Sequence, residues 1–368
     1  MKKILIVVLT ILVAVSCGKP SYKINGIISG EKDAISEGEV YLFSNMESSI
    51  KDTAKMVNGK FTFDGTVVDP GQYFIAFKGI PDAKIPIVLE NSIYTVTADN
   101  ANLKKAKISG GESQTLVNEV NNFSDKAAKA VKANSLMSEY YSEATSEDRK
   151  KEIENEFNSL NESISSYRDS VVKANPMTYF ALMNLQQNVE SEMDVASEKI
   201  AKFKADPKFK DSKILEAVDN VYNTISKLQP GNQAADFTEN DTEGNPVKFS
   251  DVYTKNKITM IDFWASWCGP CRAFNPTLVD IYKKYNEKGF GIISISLDSK
   301  KESWVEAIKK DGLTWTHVSD LNYWNSKVGQ LYYVKFIPQN VFVDQTGKIL
   351  ARQLDSDKID AFLEEHLK

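Results

Sequence analysis

Two cysteines, Cys268 and Cys271, flank Gly269-Pro270 in the stretch WASWCGPCRAFNP, and the only other cysteine of the chain is Cys17. Thiols three positions apart can clamp a metal, staple a loop, or cycle between dithiol and disulfide. Structural zinc needs four ligands, commonly two such pairs or one pair with two histidines. This chain has no second pair, and of its two histidines His366 lies in the C-terminal helical stretch, so no metal site is expected. A staple across so short a loop removes little chain entropy. A redox couple suits the surroundings better. ITMIDFW reads as a buried strand running into the pair and the residues after it as a helix, which sets Cys268 at or just before a helix N-terminus. There the free N–H groups and the helix dipole favour a thiolate. Lowering a thiol pKa from about 8.5 to about 7 raises the thiolate share at neutral pH from roughly 3% to roughly 50%. Because a less basic thiolate attacks more weakly, the gain lies mainly in leaving-group ability and redox poise. With no histidine near the pair in sequence, a Cys-His hydrolase is not expected.

The elements that position this pair are legible from periodicity. Beyond Gln229-Pro230-Gly231-Asn232 the strand-like runs ITMIDFWA, GFGIISISLD and NVFVDQTGKILAR alternate with a helix to about Glu287, another near Glu302 to Lys310, and a last one at the C-terminus. That alternation predicts an α/β sheet with helices on both faces over 229–368. Residues 112–228 change to a helical period. Phe157, Leu160, Ile164, Tyr167 and Val171 share one face of a helix from about Ser146 to Ala174, ended by Asn175-Pro176. Residues 22–111 are short β-branched and aromatic runs between turns, with Asn58-Gly59 as a hairpin signal. They predict an all-β, sandwich-like domain.

The 368 residues carry 45 Lys plus Arg against 50 Asp plus Glu, a net charge of −5, or −7 once Lys2 and Lys3 are removed. Such a balance argues against a nucleic-acid binder. MKKILIVVLTILVAVSC has a basic start and an apolar run from Ile4 to Val15, too short to span a bilayer comfortably and suited to an export signal. Ala14-Val15-Ser16-Cys17 resembles the lipobox of bacterial lipoproteins. That likeness implies that 1–16 is a signal peptide and that Cys17 receives lipid.

MIDFWASWCGPCRAFNP resembles the active site of the thioredoxin superfamily, and residues 229–368 resemble the TlpA/ResA-like extracytoplasmic thiol-disulfide oxidoreductases. The resemblance implies a thioredoxin-like fold in which Cys268 attacks, Cys271 resolves, and Asp262 is a buried carboxylate relaying protons to and from the inner cysteine. It makes Pro276 the kink of the active-site helix. Trp264 and Trp267 would cover the site and present an apolar docking surface, with Gly269 and Pro270 beside them; core packing is the competing reading of Trp264. Phe336-Ile337-Pro338 stands where the superfamily has its cis-proline, so Pro338 is expected to be cis against the disulfide and the Ile337 backbone to pair with substrate. His317, in the recurrent phrase WTHVSD, reads as structural or surface. The hairpin DTAKMVNGKFTFDGTV and the strands after it resemble a β-rich domain of unknown function that precedes TlpA-like domains in envelope lipoproteins.

The expectation is a lipid-anchored, periplasm-facing enzyme that reduces protein disulfides with no cofactor beyond Cys268-Cys271, recharged by a membrane thiol carrier. Competing readings are a thiol oxidase or isomerase of exported proteins, and an envelope binding protein using the fold as a scaffold. Homodimerisation through the helical region is left open.

Overall fold

The computed structural model describes residues 21–30, 36–44, 50–80 and 84–368; the expected leader 1–16 and Cys17 lie outside the described residues. Two compact units are formed, Met1–Asn188 with Glu198–Ala217, and Val189–Ser197 with Val218–Lys368. Among the described residues no helix is long and apolar enough to cross a membrane.

The first unit opens with strands β1 (Tyr22–Ser29), β2 (Gly38–Ser44), β3 (Ile50–Met56), β4 (Lys60–Gly65), β5 (Gly71–Phe77), β6 (Lys84–Leu89), β7 (Ile93–Asp99) and β8 (Lys107–Ser109). They build two four-stranded sheets, ordered β4-β1-β7-β8 and β3-β2-β5-β6. Alternating residues turn inward, so Ile24, Phe63 and Val96 of one sheet share a core with Leu42, Ile75 and Ile85 of the other. Asn58 and Gly59 both take positive φ, 51° and 69°, as a tight turn there requires. Yet only Val57 and Lys60 pair across that turn. Beyond it β3 joins β2 and β4 joins β1, because each finds a longer partner in a different sheet. The expected hairpin is therefore a corner between sheets.

Helices α1 (Glu112–Ala130), α2 (Ala133–Tyr140), α3 (Glu147–Ala174), α4 (Tyr179–Asn188), α5 (Met193–Ala205) and α6 (Lys213–Ser226) follow. Ser146 caps α3 by accepting the Arg149 N–H at 3.3 Å. On the predicted face Leu160 and Val171 are buried while Phe157, Ile164 and Tyr167 are half-buried. That face meets α1 of the same chain, where Phe123 stacks on Tyr167 at 4.0 Å.

The second unit contains β9 (Thr238–Asn240), β10 (Pro246–Lys248), α7 (Phe249–Tyr253), β11 (Ile258–Trp264), α8 (Gly269–Tyr285), β12 (Phe290–Ser296), α9 (Lys301–Asp311), β13 (Thr316–Val318), α10 (Lys327–Leu331), β14 (Gln339–Asp344), β15 (Ile349–Arg352) and α11 (Ile359–His366). Its main sheet is ordered β13-β12-β11-β14-β15. β11, β12 and β13 run parallel; β14 pairs antiparallel with β11, and β15 antiparallel with β14. Every residue of β11 and β12 is buried, which is why both read as largely apolar runs rather than alternating ones. Burying Phe263, Ile293 or Phe342 in this core contributes about 1.5–3 kcal/mol each. That rigid centre carries the cysteine loop at the C-terminal end of β11.

Candidate active site

Asp262 sits in the middle of β11 between β12 and β14, and its side chain is held in the interior at 6% exposure. Its Oδ2 accepts a 2.8 Å hydrogen bond from Ser294 Oγ, the residue directly opposite on β12. Trp315 Nε1 donates to the same Ser294 hydroxyl at 2.8 Å, so that hydroxyl is free to give its one proton to the carboxylate. Burial pushes the Asp262 carboxyl up to about 6, against the smaller downward pull of Ser294. A carboxyl in that range can take and return a proton near neutrality. It also lines a cavity of about 590 Å³ with Met260, Phe274, Phe336 and Pro338.

After β11 the chain turns through Ala265–Trp267 into α8. Asp298 fixes this turn, accepting from the Ser266 N–H at 2.9 Å and the Ser266 hydroxyl at 2.5 Å, and is itself steadied by Ser296 Oγ at 2.7 Å. Arg272 donates to the Ser266 carbonyl at 3.0 Å and grips Asp311 with two nitrogens, Nη2 reaching Oδ1 at 2.7 Å and Nε bonding Oδ2. Asn275 adds a 2.7 Å bond to Asp311. Burial alone would raise the Asp311 carboxyl, but these hydrogen bonds and the Arg272 charge hold it below its ordinary value.

Cys268 is the N-cap residue of α8, and its Sγ accepts the Cys271 N–H at 3.2 Å. Gly269 and Pro270 form the first turn, where proline removes no helical hydrogen bond. Cys268 and Cys271 are joined as a disulfide with Cα atoms 5.3 Å apart. Both are buried, at 4% and 2% exposure, beneath an exposed skin of Trp267, Gly269 and Pro270. A methyl group built on Gly269 would meet nothing within 4 Å, so the space above this turn is open. Pro276 lies inside α8.

The Ile337–Pro338 peptide bond is cis. Pro338 is exposed and Ile337 half-buried. β14 begins at the next residue, with Gln339 paired to Phe263 and Asn340 to Asp262, so the proline stands beside the end of β11 from which the cysteine loop departs.

Trp264 does not present a docking surface. It is 1% exposed, because it still belongs to the buried strand, and its carbonyl accepts the Leu297 N–H at 2.9 Å. His317 is also interior, opposite Ser294 in the sheet and packed between Trp264 and Trp315, with ring centroids 5.9 and 5.7 Å away. Neither of its ring nitrogens has a hydrogen-bond partner of acceptable geometry. Burial drives its pKa down to about 3, against a smaller upward pull from the Leu313 backbone, so the ring is neutral at working pH. Among the described residues no three His, Cys, Asp or Glu side chains converge as a metal site. Sequence reading passed over Ser294, Trp315, Ser266, Asp298, Arg272 and Asp311. Arg272, directly after Cys271, was the one with a local signal.

A disulfide that caps a helix at the end of a buried central strand, with a proline-led strand alongside, defines the thioredoxin-like class of redox domains. Residues 230–352 match the AhpC/TSA family, and residues 22–117 match a domain of unknown function, DUF4369. Over 142 residues the chain is 30% identical to the thiol-disulfide oxidoreductase ResA of Bacillus thuringiensis (strain Al Hakam), covering 79% of that protein and 39% of this chain. ResA of Bacillus subtilis (strain 168) is 25% identical over 134 residues, 72% of its length and 35% of this chain. Among solved structures, the C-terminal domain of a putative thiol-disulfide oxidoreductase from Bacteroides thetaiotaomicron is 35% identical, with 97% of that chain and 38% of this one covered and a TM-score of 0.36. The chain belongs to the ResA-like thiol-disulfide oxidoreductases, joined to an N-terminal β-rich DUF4369 domain.

Proposed function

We propose that the protein is a reductase of protein disulfides, anchored by lipid at Cys17 and facing the periplasm. In the reduced form, the Cys268 thiolate displaces one sulfur of a substrate disulfide. The Cys268–substrate bond forms, and the other substrate sulfur leaves as a thiolate that takes up a proton. Asp262 accepts the Cys271 proton, and the resulting thiolate attacks Cys268 Sγ. The second substrate thiolate leaves and is protonated, so two electrons have passed to the substrate and the enzyme is left as its disulfide. A membrane thiol carrier returns two electrons and two protons.

The observation that carries thiol–disulfide exchange in this reading is the placement of Cys268 Sγ at the α8 N-cap, accepting the Cys271 N–H, where aligned peptide dipoles stabilise negative charge on the sulfur. The Gly-Pro pair between the cysteines resembles that of reducing thioredoxins and supports electron flow toward the substrate. Ile337 supports the reading through its place beside the cis-proline, where its backbone can pair with an extended substrate segment. Equilibration of the purified chain with dithiothreitol buffers tests the direction: the account expects a potential near about −270 mV, and a value near about −120 mV would make the protein an oxidant instead.

A further inference from the structure

The chain has five tryptophans, and they fall into two groups. Trp264 and Trp304 are 1% exposed and Trp315 8%, whereas Trp267 is 45% and Trp324 39% exposed. The two exposed indoles lie together with centroids 6.0 Å apart. Tyr323, itself 45% exposed, stands 5.2 Å from Trp267 and 6.0 Å from Trp324. Three aromatic rings thus form one exposed patch beginning at the residue before Cys268. Clustered rings left in water carry an unrealised burial energy that a partner can collect.

The backbone beneath them is held against its own preference. Leu321 and Tyr323 both have φ of 54°, the left-handed region that large side chains avoid and glycine enters freely. Asp320 secures the loop, accepting from the Asn322 N–H at 3.1 Å and the Lys327 N–H at 2.9 Å. Ser319 ties it to the site, donating to the Ser296 carbonyl on β12 at 2.8 Å and accepting the Leu321 N–H at 3.0 Å. Backbone strain held in place by surrounding bonds clusters at functional surfaces, and here the strained Tyr323 turns its ring to solvent.

Resting on the reductase reading, we propose that Trp267, Tyr323 and Trp324 form a platform that grips an extended polypeptide bearing an aromatic or large aliphatic residue close to its half-cystine. The occupant follows from the chemistry of the neighbouring sulfur. A substrate joined to Cys268 continues as chain on either side of its own sulfur, and that chain crosses the surface next to Trp267. A second copy seated on the rings would cover the disulfide instead. The covalent steps are those given above; the platform holds the substrate while the Cys268–substrate bond forms and breaks.

The test uses the full chain and two synthetic peptides, each a disulfide-linked dimer, identical except for Trp or Gly two residues from the cysteine. The wild-type protein is expected to reduce the Trp peptide with kcat/KM about tenfold above the Gly peptide, equivalent to about 1.4 kcal/mol. The double variant Tyr323→Ser with Trp324→Ser is expected to bring that ratio to about one while Gly-peptide reduction stays within about twofold, and Tyr323→Phe with Trp324→Phe to keep it. A wild-type ratio near one, a double variant that keeps the wild-type ratio, or equal losses on both peptides would overturn the platform. A smaller assembly in the double variant with the ratio retained would assign the rings to a second copy and overturn it as well. Failure of the wild-type protein to reduce either peptide would instead overturn the reductase reading, and the platform with it.

Discussion

Replacing Asp262 by Asn should make the oxidised protein more stable and a poorer catalyst. Folding raises this carboxyl from 3.8 to about 6 through burial, and at about 1.36 kcal/mol per pH unit the buried charge costs about 3 kcal/mol. The sign follows from proton binding. Between the two values the folded state holds the proton more tightly than the unfolded state, so stability falls as pH rises from 3.8 to about 6 and then stays level. Asn has the same shape and keeps an acceptor for the Ser294 hydroxyl. Asp262→Asn is therefore expected to stabilise by about 3 kcal/mol at pH 8 and by only about 0.5 kcal/mol at pH 4. All five tryptophans lie in the second unit, so their fluorescence during urea unfolding reports on that unit alone. Without a base for Cys271, turnover of a protein disulfide at pH 7 should drop by about 10²-fold. Equal stabilisation at the two pH values, or none at pH 8, would refute the burial argument.

Arg272→Ala should leave Asp311 without its two-pronged partner and Ser266 without its carbonyl donor, destabilising the second unit by about 2–3 kcal/mol in the same urea assay. Arg272→Lys should recover less than half of that loss, since an ammonium cannot span both carboxylate oxygens. His317 supplies the opposite pH dependence to Asp262. Its pKa falls on folding from 6.5 to about 3, so the unfolded state binds more protons and stability is lost as pH drops through that window. His317→Phe should flatten the acid side of the stability profile between pH 6.5 and pH 4, and an unchanged profile would show that the ring is hydrated rather than buried.

The parts of the site that were legible in the sequence are those whose causes are local. ITMIDFW announced a buried strand because seven neighbouring residues share one environment, and Gly-Pro after Cys268 announced a helix start because proline fits the first turn. The supports were not legible. Ser294 lies 32 residues from Asp262, and Asp311 39 residues from Arg272, and no periodicity links such pairs. Trp264 and Trp267 look alike in sequence, but β11 ends between them, so one obeys the strand and the other the loop. Tyr323 and Trp324 gave no signal because the left-handed turn at Leu321 and Tyr323 carries none of the glycine that announces it. The Asn58-Gly59 turn was legible, whereas the parting of its strands depended on partners elsewhere in the two sheets.

The most direct test of the central claim is intact-mass analysis of reduced Cys271→Ser protein mixed with a disulfide-linked peptide. The account predicts one stable peptide adduct per chain, mapped to Cys268 and released by dithiothreitol, while Cys268→Ser protein gives none at the matching time. Absence of an adduct on Cys271→Ser, or equal adducts on both variants, would contradict a working Cys268-Cys271 couple.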